Sequence, residues 1–218
     1  MRVSITTQQR NAIEAPLGPV LVVAGPGAGK TFCLIGRIGY LVSKLGMTAE
    51  RICAVTFTNR AAEEIATRLD DTLGRRSADV HRGTIHALCA DILREFAAQA
   101  GLTSGFGIAD EDYQRTLLRQ LKQGPRAGQL LGLFCRHRLE GRDLTPGDLD
   151  IYREYQRKLR SRNIVDFDDL LVRTRDLFHT HPEVARDLGG RWDYLLVDRK
   201  STRLNSSHYS PSRMPSSA

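Results

Sequence analysis

What the sequence lacks narrows it first. No stretch of the 218 residues approaches eighteen uninterrupted apolar side chains, and the opening MRVSITTQQR has no apolar core, so neither a membrane span nor a secretory leader is expected. Cysteine is scarce. Cys33, Cys53, Cys89 and Cys135 form no CxxC pair, which argues against a disulfide framework or a zinc site and for reduced, cytoplasmic surroundings. The one tryptophan, Trp192, is expected in the core, and no internal repeat is visible. With 41% hydrophobic and 26% charged residues, collagen-like, coiled-coil and wholly disordered chains are excluded. One ordinary domain, or one domain with a large insert, remains.

Positive charge is in excess, at +7, but unevenly placed. Residues 1–108 carry 12 basic and 9 acidic side chains, 109–165 carry 12 and 8, 166–198 carry 4 and 8, and the last twenty carry 4 and none. Those twenty, RKSTRLNSSHYSPSRMPSSA, hold seven serines against five in the preceding 198 residues and show no apolar periodicity. Residues 199–218 are therefore expected to be disordered, either a natural basic tail or sequence foreign to the frame that precedes it. More than half of the net charge sits there, so bulk charge is a poor argument for nucleic acid.

The remainder alternates between two periodicities. Pro19–Ala24 (PVLVVA) is a β-branched apolar run ending at a glycine cluster and reads as a buried parallel strand. A helix is expected from Gly29 to about Lys44, with Leu34, Ile35, Ile38, Leu41, Val42 and Leu45 at helical spacing. ICAVTF at 52–57 reads as a second buried strand, followed by a helix through Ala62, Ile65, Ala66, Leu69 and Leu73. A short extended piece near 80–84 precedes a third helix carrying Leu88, Cys89, Ile92, Leu93 and Phe96, and YLLVD at 194–198 reads as a buried strand ending in a carboxylate. Strands alternating with helices predict an α/β fold, a parallel sheet flanked by helices. Between 109 and 165 the pattern is helical alone, with Thr145-Pro146-Gly147-Asp148 a well-formed helix start. The expected organisation is thus an α/β domain from 1–108 and 166–198, an all-helical insert at 109–165, and the tail.

Ala24-Gly25-Pro26-Gly27-Ala28-Gly29-Lys30-Thr31 lies between a predicted strand and a predicted helix, the context of a phosphate-binding loop. Glycines allow backbone N–H groups to converge on phosphate oxygens, and the new helix adds its positive end. Lys30 would reach the β- and γ-phosphates of ATP and the Thr31 hydroxyl would ligate Mg²⁺. Ala24 stands where the strict pattern has glycine. Asp198 ends an apolar strand and could serve the metal through water, whereas the adjoining position, where a carboxylate would orient the attacking water, is Arg199. In Thr6-Thr7-Gln8-Gln9, Gln9 could pair bidentately with adenine N6 and N7; taken alone, a solvated glutamine at a helix start is the commoner reading.

Thr56-Phe57-Thr58-Asn59 and Gly83-Thr84-Ile85-His86 each sit where a strand meets a helix. Hydroxyls and helix N–H groups there could bind a backbone phosphate and an aromatic could stack a base; equally, Thr58 or Asn59 and Thr84 could be plain N-caps, with Phe57 in the core. Asp166-Phe167-Asp168-Asp169-Leu170-Leu171 reads as an acid-rich helix start, and His179 with His181 as a surface loop rather than a metal site.

In order, ITTQQRNAI, VVAGPGAGKT, AVTFTNRAAEEIATRL, GTIHALCADILR, DFDDLL and WDYLLVD resemble the segments of UvrD/Rep/PcrA-type superfamily 1 DNA helicases across nearly all of residues 5–198. The resemblance implies a RecA-like ATPase core with a helical insert, and ATP hydrolysis coupled to 3′-to-5′ movement on single-stranded DNA, with single/double-strand junctions as partners. By position it implies that Gln9 contacts adenine, that Ala24 to Thr31 hold the phosphates with Lys30 and Asp198 catalytic, and that Thr31 and Asp198 serve Mg²⁺. Thr56, Phe57, Thr58, Asn59, Thr84 and His86 would touch the single strand. Three departures accompany it: Phe32 stands where the family often has arginine, Asp198-Arg199-Lys200 replaces Asp-Glu, and the family's second RecA-like domain has no counterpart in these residues. A truncated N-terminal piece without appreciable turnover is the resulting expectation; the alternatives are a nucleotide- or DNA-binding module without turnover, or another P-loop ATPase or kinase.

Overall fold

The computed structural model describes residues 5–121 and 123–198; the tail expected at 199–218, with Arg199 and Lys200, lies outside the described residues. Helix α1 (Thr7–Ile13) opens on a capping box, in which Thr6 Oγ1 accepts from the Gln9 amide at 3.2 Å and Gln9 Oε1 accepts from the Thr6 amide at 3.0 Å. Helix α2 (Lys30–Ser43) follows the glycine cluster and buries Cys33, Ile35, Ile38, Leu41 and Val42; of the expected stripe, Leu34 is half-buried and Leu45, past the helix end, is 46% exposed. Strand β1 (Ile52–Thr56), buried at every residue, leads into α3 (Asn59–Leu73), which turns Ala61, Ile65, Leu69 and Leu73 inward. Strand β2 (His81–Thr84) leads likewise into α4 (Ile85–Glu95).

Next come β3 (Gly107–Ala109), α5 (Glu111–Gln120), α6 (Ala127–Glu140), α7 (Pro146–Ser161) and β4 (Ile164–Asp166). The chain then runs through α8 (Phe167–Thr180), α9 (Pro182–Gly189) and β5 (Tyr194–Asp198). Strands β2, β1 and β5 form a parallel sheet in that order, flanked by helices; β3 and β4 pair parallel in a second, two-stranded sheet. Register pairs Ile52 with Tyr194 and Ala54 with Leu196, so these face one side, where Ile38, Leu41, Ile65 and Leu69 pack on them. Cys53 and Val55 face the other side and are wholly buried; burial pushes the Cys53 thiol up to about 12, so it is an inert core group.

Four expectations need correction. Pro19–Ala24 forms no ladder, and Leu21 and Val23 are 88% and 87% exposed. A β-strand exists only through pairing, and no ladder among the described residues includes this segment; just ahead of it, the Tyr194 hydroxyl donates to Gly18 O at 3.2 Å. Strand β5 is not fully buried either. Leu195 and Val197, on the Cys53 side of the sheet, are exposed because the cover over β1 does not extend over its edge neighbour. The stretch 109–165 is not helical throughout, since β3 ends at Ala109 and β4 begins at Ile164; three-residue strands carry too little periodicity to be read. Trp192 is half-buried, its ring 5.1 Å from that of His81. No group of three metal-ligating side chains occurs among the described residues, and His181 instead meets Glu183 at 2.9 Å.

Helices α5, α6 and α7 enclose a core of Leu117, Leu118, Leu130, Phe134, Tyr155 and Leu159. As expected, Thr145 caps α7, accepting from the Asp148 amide, with Pro146 in the first turn. These helices are tied to α8 by charge. Arg138 of α6, 5% exposed, donates Nη1 to Asp166 at 2.9 and 3.0 Å and to Asp169 at 2.8 Å, and Nη2 to Asp168 at 2.9 Å. Burial opposes the Arg138 charge, but the carboxylates of Asp166, Asp169 and Asp168 outweigh it and hold the guanidinium protonated beyond its ordinary range. Burial and the neighbouring Asp166 raise the Asp169 carboxyl, and Arg138, followed by Arg173 at 3.8 Å, pulls it back only in part.

Removing one partner of such a buried cluster leaves uncompensated charge. Arg138→Ala is expected to lower stability by about 3–5 kcal/mol, read from urea denaturation, because Asp166 and Asp169 lose their counter-ion together. A loss comparable to an exposed pair such as Arg153–Asp150 would contradict the burial account.

Candidate nucleotide and nucleic-acid site

Parallel pairing puts the C-terminal ends of all three sheet strands on one rim: Thr56 is in register with Thr84 on one side and with Asp198 on the other. In open α/β sheets this rim is where ligands sit, because helix N-termini gather there. The loop Ala24–Thr31 meets it. Gly27 and Gly29 adopt φ of 76° and 82°, a left-handed backbone that side chains resist, and Gly29 is the N-cap of α2. A Cβ on Gly29 would lie 2.9 Å from Gln9 Nε2, the free end of a side chain that can move aside, so it is the left-handed φ that calls for glycine there. Lys30 Nζ donates to Ala24 O at 2.9 Å and Gly25 O at 2.8 Å, curling back over its own loop.

Thr31 and Asp198, 167 residues apart, meet directly: Thr31 Oγ1 donates to Asp198 Oδ2 at 2.9 Å. Asp198 is 5% exposed, and its carbonyl accepts from the Thr56 hydroxyl at 3.2 Å. A hydroxyl and a carboxylate oxygen converging at a helix N-terminus are hard donors, the chemistry that Mg²⁺ selects. Gln9 Nε2 donates to Ala28 O at 3.3 Å, which places the glutamine on the loop's shoulder. Its carbonyl oxygen is held by the capping box, so pairing with a base would require the amide to leave that contact. Phe32 lies on the far side of α2, lining a cavity of about 380 Å³ with Ile35, Gly36, Arg68, Asp71 and Thr72.

The two post-strand turns divide by exposure. Thr56 is 1% exposed and its hydroxyl is spent on Asp198, so the structure does not present it to a ligand. Thr58 and Thr84 are N-caps, accepting from Ala61 N at 3.2 Å and Ala87 N at 3.1 Å. Phe57 is not in the core: it stands 45% exposed on the rim beside exposed Thr58 and Asn59. His86 is half-buried and meets the ring of Phe167 edge-on, centroids 5.6 Å apart. Phe167, itself 46% exposed, is a rim aromatic carried by an acidic helix start, and an aromatic at the first turn of a polar helix end is the sequence signal for it.

Burial lowers the His86 pKa below its ordinary 6.5, with Asp168 pulling it partly back. A depressed folded value means that this contribution to stability is complete above about pH 6.5 and is lost as pH falls through the folded pKa. Stability of the wild type should therefore fall more steeply between about pH 7 and 5 than that of His86→Gln, measured as urea midpoints across the series. Parallel curves would show that His86 is not the group responsible.

The family model for the UvrD/REP helicase N-terminal domain matches residues 5–132 and 135–199. The chain is 34% identical over 215 residues to the ATP-dependent DNA helicase PcrA of Leuconostoc citreum, covering 89% of this chain and 28% of that protein. It is 35% identical over 216 residues to the ATP-dependent DNA helicase UvrD1 of Mycobacterium bovis, with coverage of 89% and 28%. To the PcrA of Staphylococcus aureus it is 31% identical over 216 residues, with coverage of 89% and 29%. The chain thus spans less than a third of the length of these relatives. No helix among the described residues is long and apolar enough to cross a membrane. With the glycine loop, the strand-end aspartate and the rim turns all assembled on one edge of a parallel sheet, the chain belongs to the UvrD/REP helicase N-terminal domain family.

Proposed function

We propose that this chain is an ATP·Mg²⁺- and single-stranded-DNA-binding part of a DNA-translocating motor, and that by itself it binds without appreciable turnover. The observation that carries the nucleotide half is the 2.9 Å contact between Thr31 and Asp198, a loop hydroxyl and a strand-end carboxylate set side by side where a Mg²⁺ beside bound phosphates would need both. These two would hold Mg²⁺, which when bound offsets the charge of the β- and γ-phosphates. Lys30 would exchange Ala24 O and Gly25 O for phosphate oxygens, and the left-handed Gly27 and Gly29 would keep Cβ atoms out of the phosphate's way. Gln9 would read the adenine edge from the loop's shoulder.

The DNA half rests on exposed rim groups. Phe57 offers a stacking face, Thr58, Asn59 and His86 offer polar contacts to the backbone, and Thr56 and Thr84 act as supports beneath them. Helices α5–α7 with their own core support the reading of 109–165 as an inserted subdomain, carrying the +4 that attracts phosphates. Movement in the 3′-to-5′ direction and engagement of single/double-strand junctions are proposed for the longer assembly that the relatives' names describe as ATP-dependent DNA helicases.

Binding without turnover follows from Arg199. A cation next to Asp198 cannot accept a proton from water or orient its lone pair toward phosphorus, so the carboxylate that chemistry needs is absent from the position where it is expected. Equilibrium ATP binding to the 218-residue chain is expected to weaken at least tenfold with Lys30→Ala, the loss of one charge-assisted phosphate contact at ~1.5–3 kcal/mol, and a sensitive phosphate-release assay with single-stranded DNA to show turnover near background in both. Robust DNA-stimulated hydrolysis abolished by Lys30→Ala would overturn the binding-only reading. Equal ATP affinity in the two proteins would overturn the nucleotide site itself.

A further inference from the structure

Arg37, on the second turn of α2, is a buried cation that the nucleotide reading leaves without a role. It is 5% exposed, and no ion pair to a carboxylate occurs for it among the described residues. A guanidinium taken out of water at this depth is costly unless its donors are satisfied. Here neutral oxygens do it. Nη1 donates to Ile13 O at 2.9 Å and to Ala15 O, and Nη2 donates to Pro16 O at 3.1 Å and to the Tyr194 hydroxyl at 2.9 Å. The rings of Tyr194 and Tyr40 lie 5.2 and 5.7 Å from the guanidinium carbon and add aromatic contact with the charge.

The three carbonyls belong to the C-terminal end of α1 and the turn that follows it, where a helix leaves its last carbonyls unbonded and its dipole negative. Helix α1 has seven residues, too short to persist on its own propensity, so its place depends on what holds it. Two contacts do. Ile13 fits over Gly36, where an added Cβ would fall 2.7 Å from Ile13 Cδ1, and Arg37 grips the helix end one residue further on. The Tyr194 hydroxyl relays the grip to Gly18 O, at the entrance to the phosphate-binding loop, and Tyr194 itself begins the strand that ends at Asp198. One side chain therefore joins the helix that carries Gln9, the approach to Ala24–Thr31, and β5.

We infer that Arg37 is a positioning residue for base recognition: it holds α1 so that the Gln9 amide stands at Ala28, and selectivity for adenine over other bases depends on it. The inference rests on the reading of Gln9 as the adenine contact. Lysine cannot substitute, because a single ammonium on a flexible stem cannot span four acceptors disposed around a planar fork.

The test measures equilibrium binding of ATP, GTP and inorganic tripolyphosphate, each with Mg²⁺, to the 218-residue chain. Wild type is expected to prefer ATP over GTP by about 5- to 150-fold, the discrimination of one bidentate base contact. Gln9→Ala and Arg37→Lys should both lose that preference while tripolyphosphate affinity stays at its wild-type value. If Gln9→Ala loses the preference and Arg37→Lys keeps it, the inference fails and the Gln9 reading stands. If wild type shows no preference, or Gln9→Ala keeps it, the Gln9 reading fails and takes the inference with it. A fall in all three affinities with Arg37→Lys would make the residue a general prop and overturn the positioning role. Should Arg37→Lys not fold, Tyr194→Phe replaces it, removing one hydroxyl: a partial loss of preference is expected, and an unchanged ratio overturns the inference.

Discussion

The hydrogen bond between Thr31 and Asp198 joins residues 167 positions apart, and most of the architecture is what makes that meeting possible. Closing so long a loop costs entropy that one hydrogen bond does not offset. The closure is carried instead by the β1–β5 register, which aligns Thr56 with Asp198, and by Ile52, Ala54 and Leu196 packing on α2 and α3. Because α2 begins at Lys30, the same packing that seats Ile38 and Leu41 on the sheet also aims the helix N-terminus at Asp198. Core and site are one arrangement seen from two ends of the same strands.

Buried charge is handled in two contrasting ways. Arg138 is surrounded by carboxylates and ties α6 to the first turn of α8, where Phe167 sits between Asp166 and Asp168 and reaches the rim. Arg37 is surrounded by carbonyls and a phenol and ties α1 to α2 and β5. The first joins groups of opposite formal charge and rigidifies an interface between helices. The second uses backbone oxygens that a short helix would otherwise leave bare, so the chain's own ends supply the counter-charge.

Elements with strong local signals were legible. The glycine loop, α2, β1, α3 and α4 follow from periodicity and punctuation, and Thr58, Thr84 and Thr145 cap where hydroxyls precede apolar stripes. Properties that depend on distant partners were not. Pro19–Ala24 has the composition of a strand and no ladder, Thr56 looks like a rim hydroxyl and is sealed under Asp198, and three-residue β3 and β4 leave no pattern at all. The proposed site residues Gln9, Lys30, Thr31 and Asp198 were nameable because their motif is contiguous or its strand is. Arg37 and Arg138 were invisible, since nothing in a one-dimensional string distinguishes an arginine that reaches four carbonyl and phenol oxygens from one that points into water.

The β1–β5 pairing also has a consequence in time. Ile52 waits for Tyr194, 142 residues later in the chain, and at a synthesis rate of about 5–20 residues per second that is roughly 7 to 28 s. During that interval β1, apolar on both faces, has β2 on one edge and nothing on the other, while α2 and α3 lack the Leu196 surface on which they later close. Non-local parallel pairing of this kind folds slowly and leaves strand edges open to wrong partners. Until the YLLVD strand has cleared the exit tunnel and slotted into its place, the free edge of β1 is the part of this fold most open to mispairing.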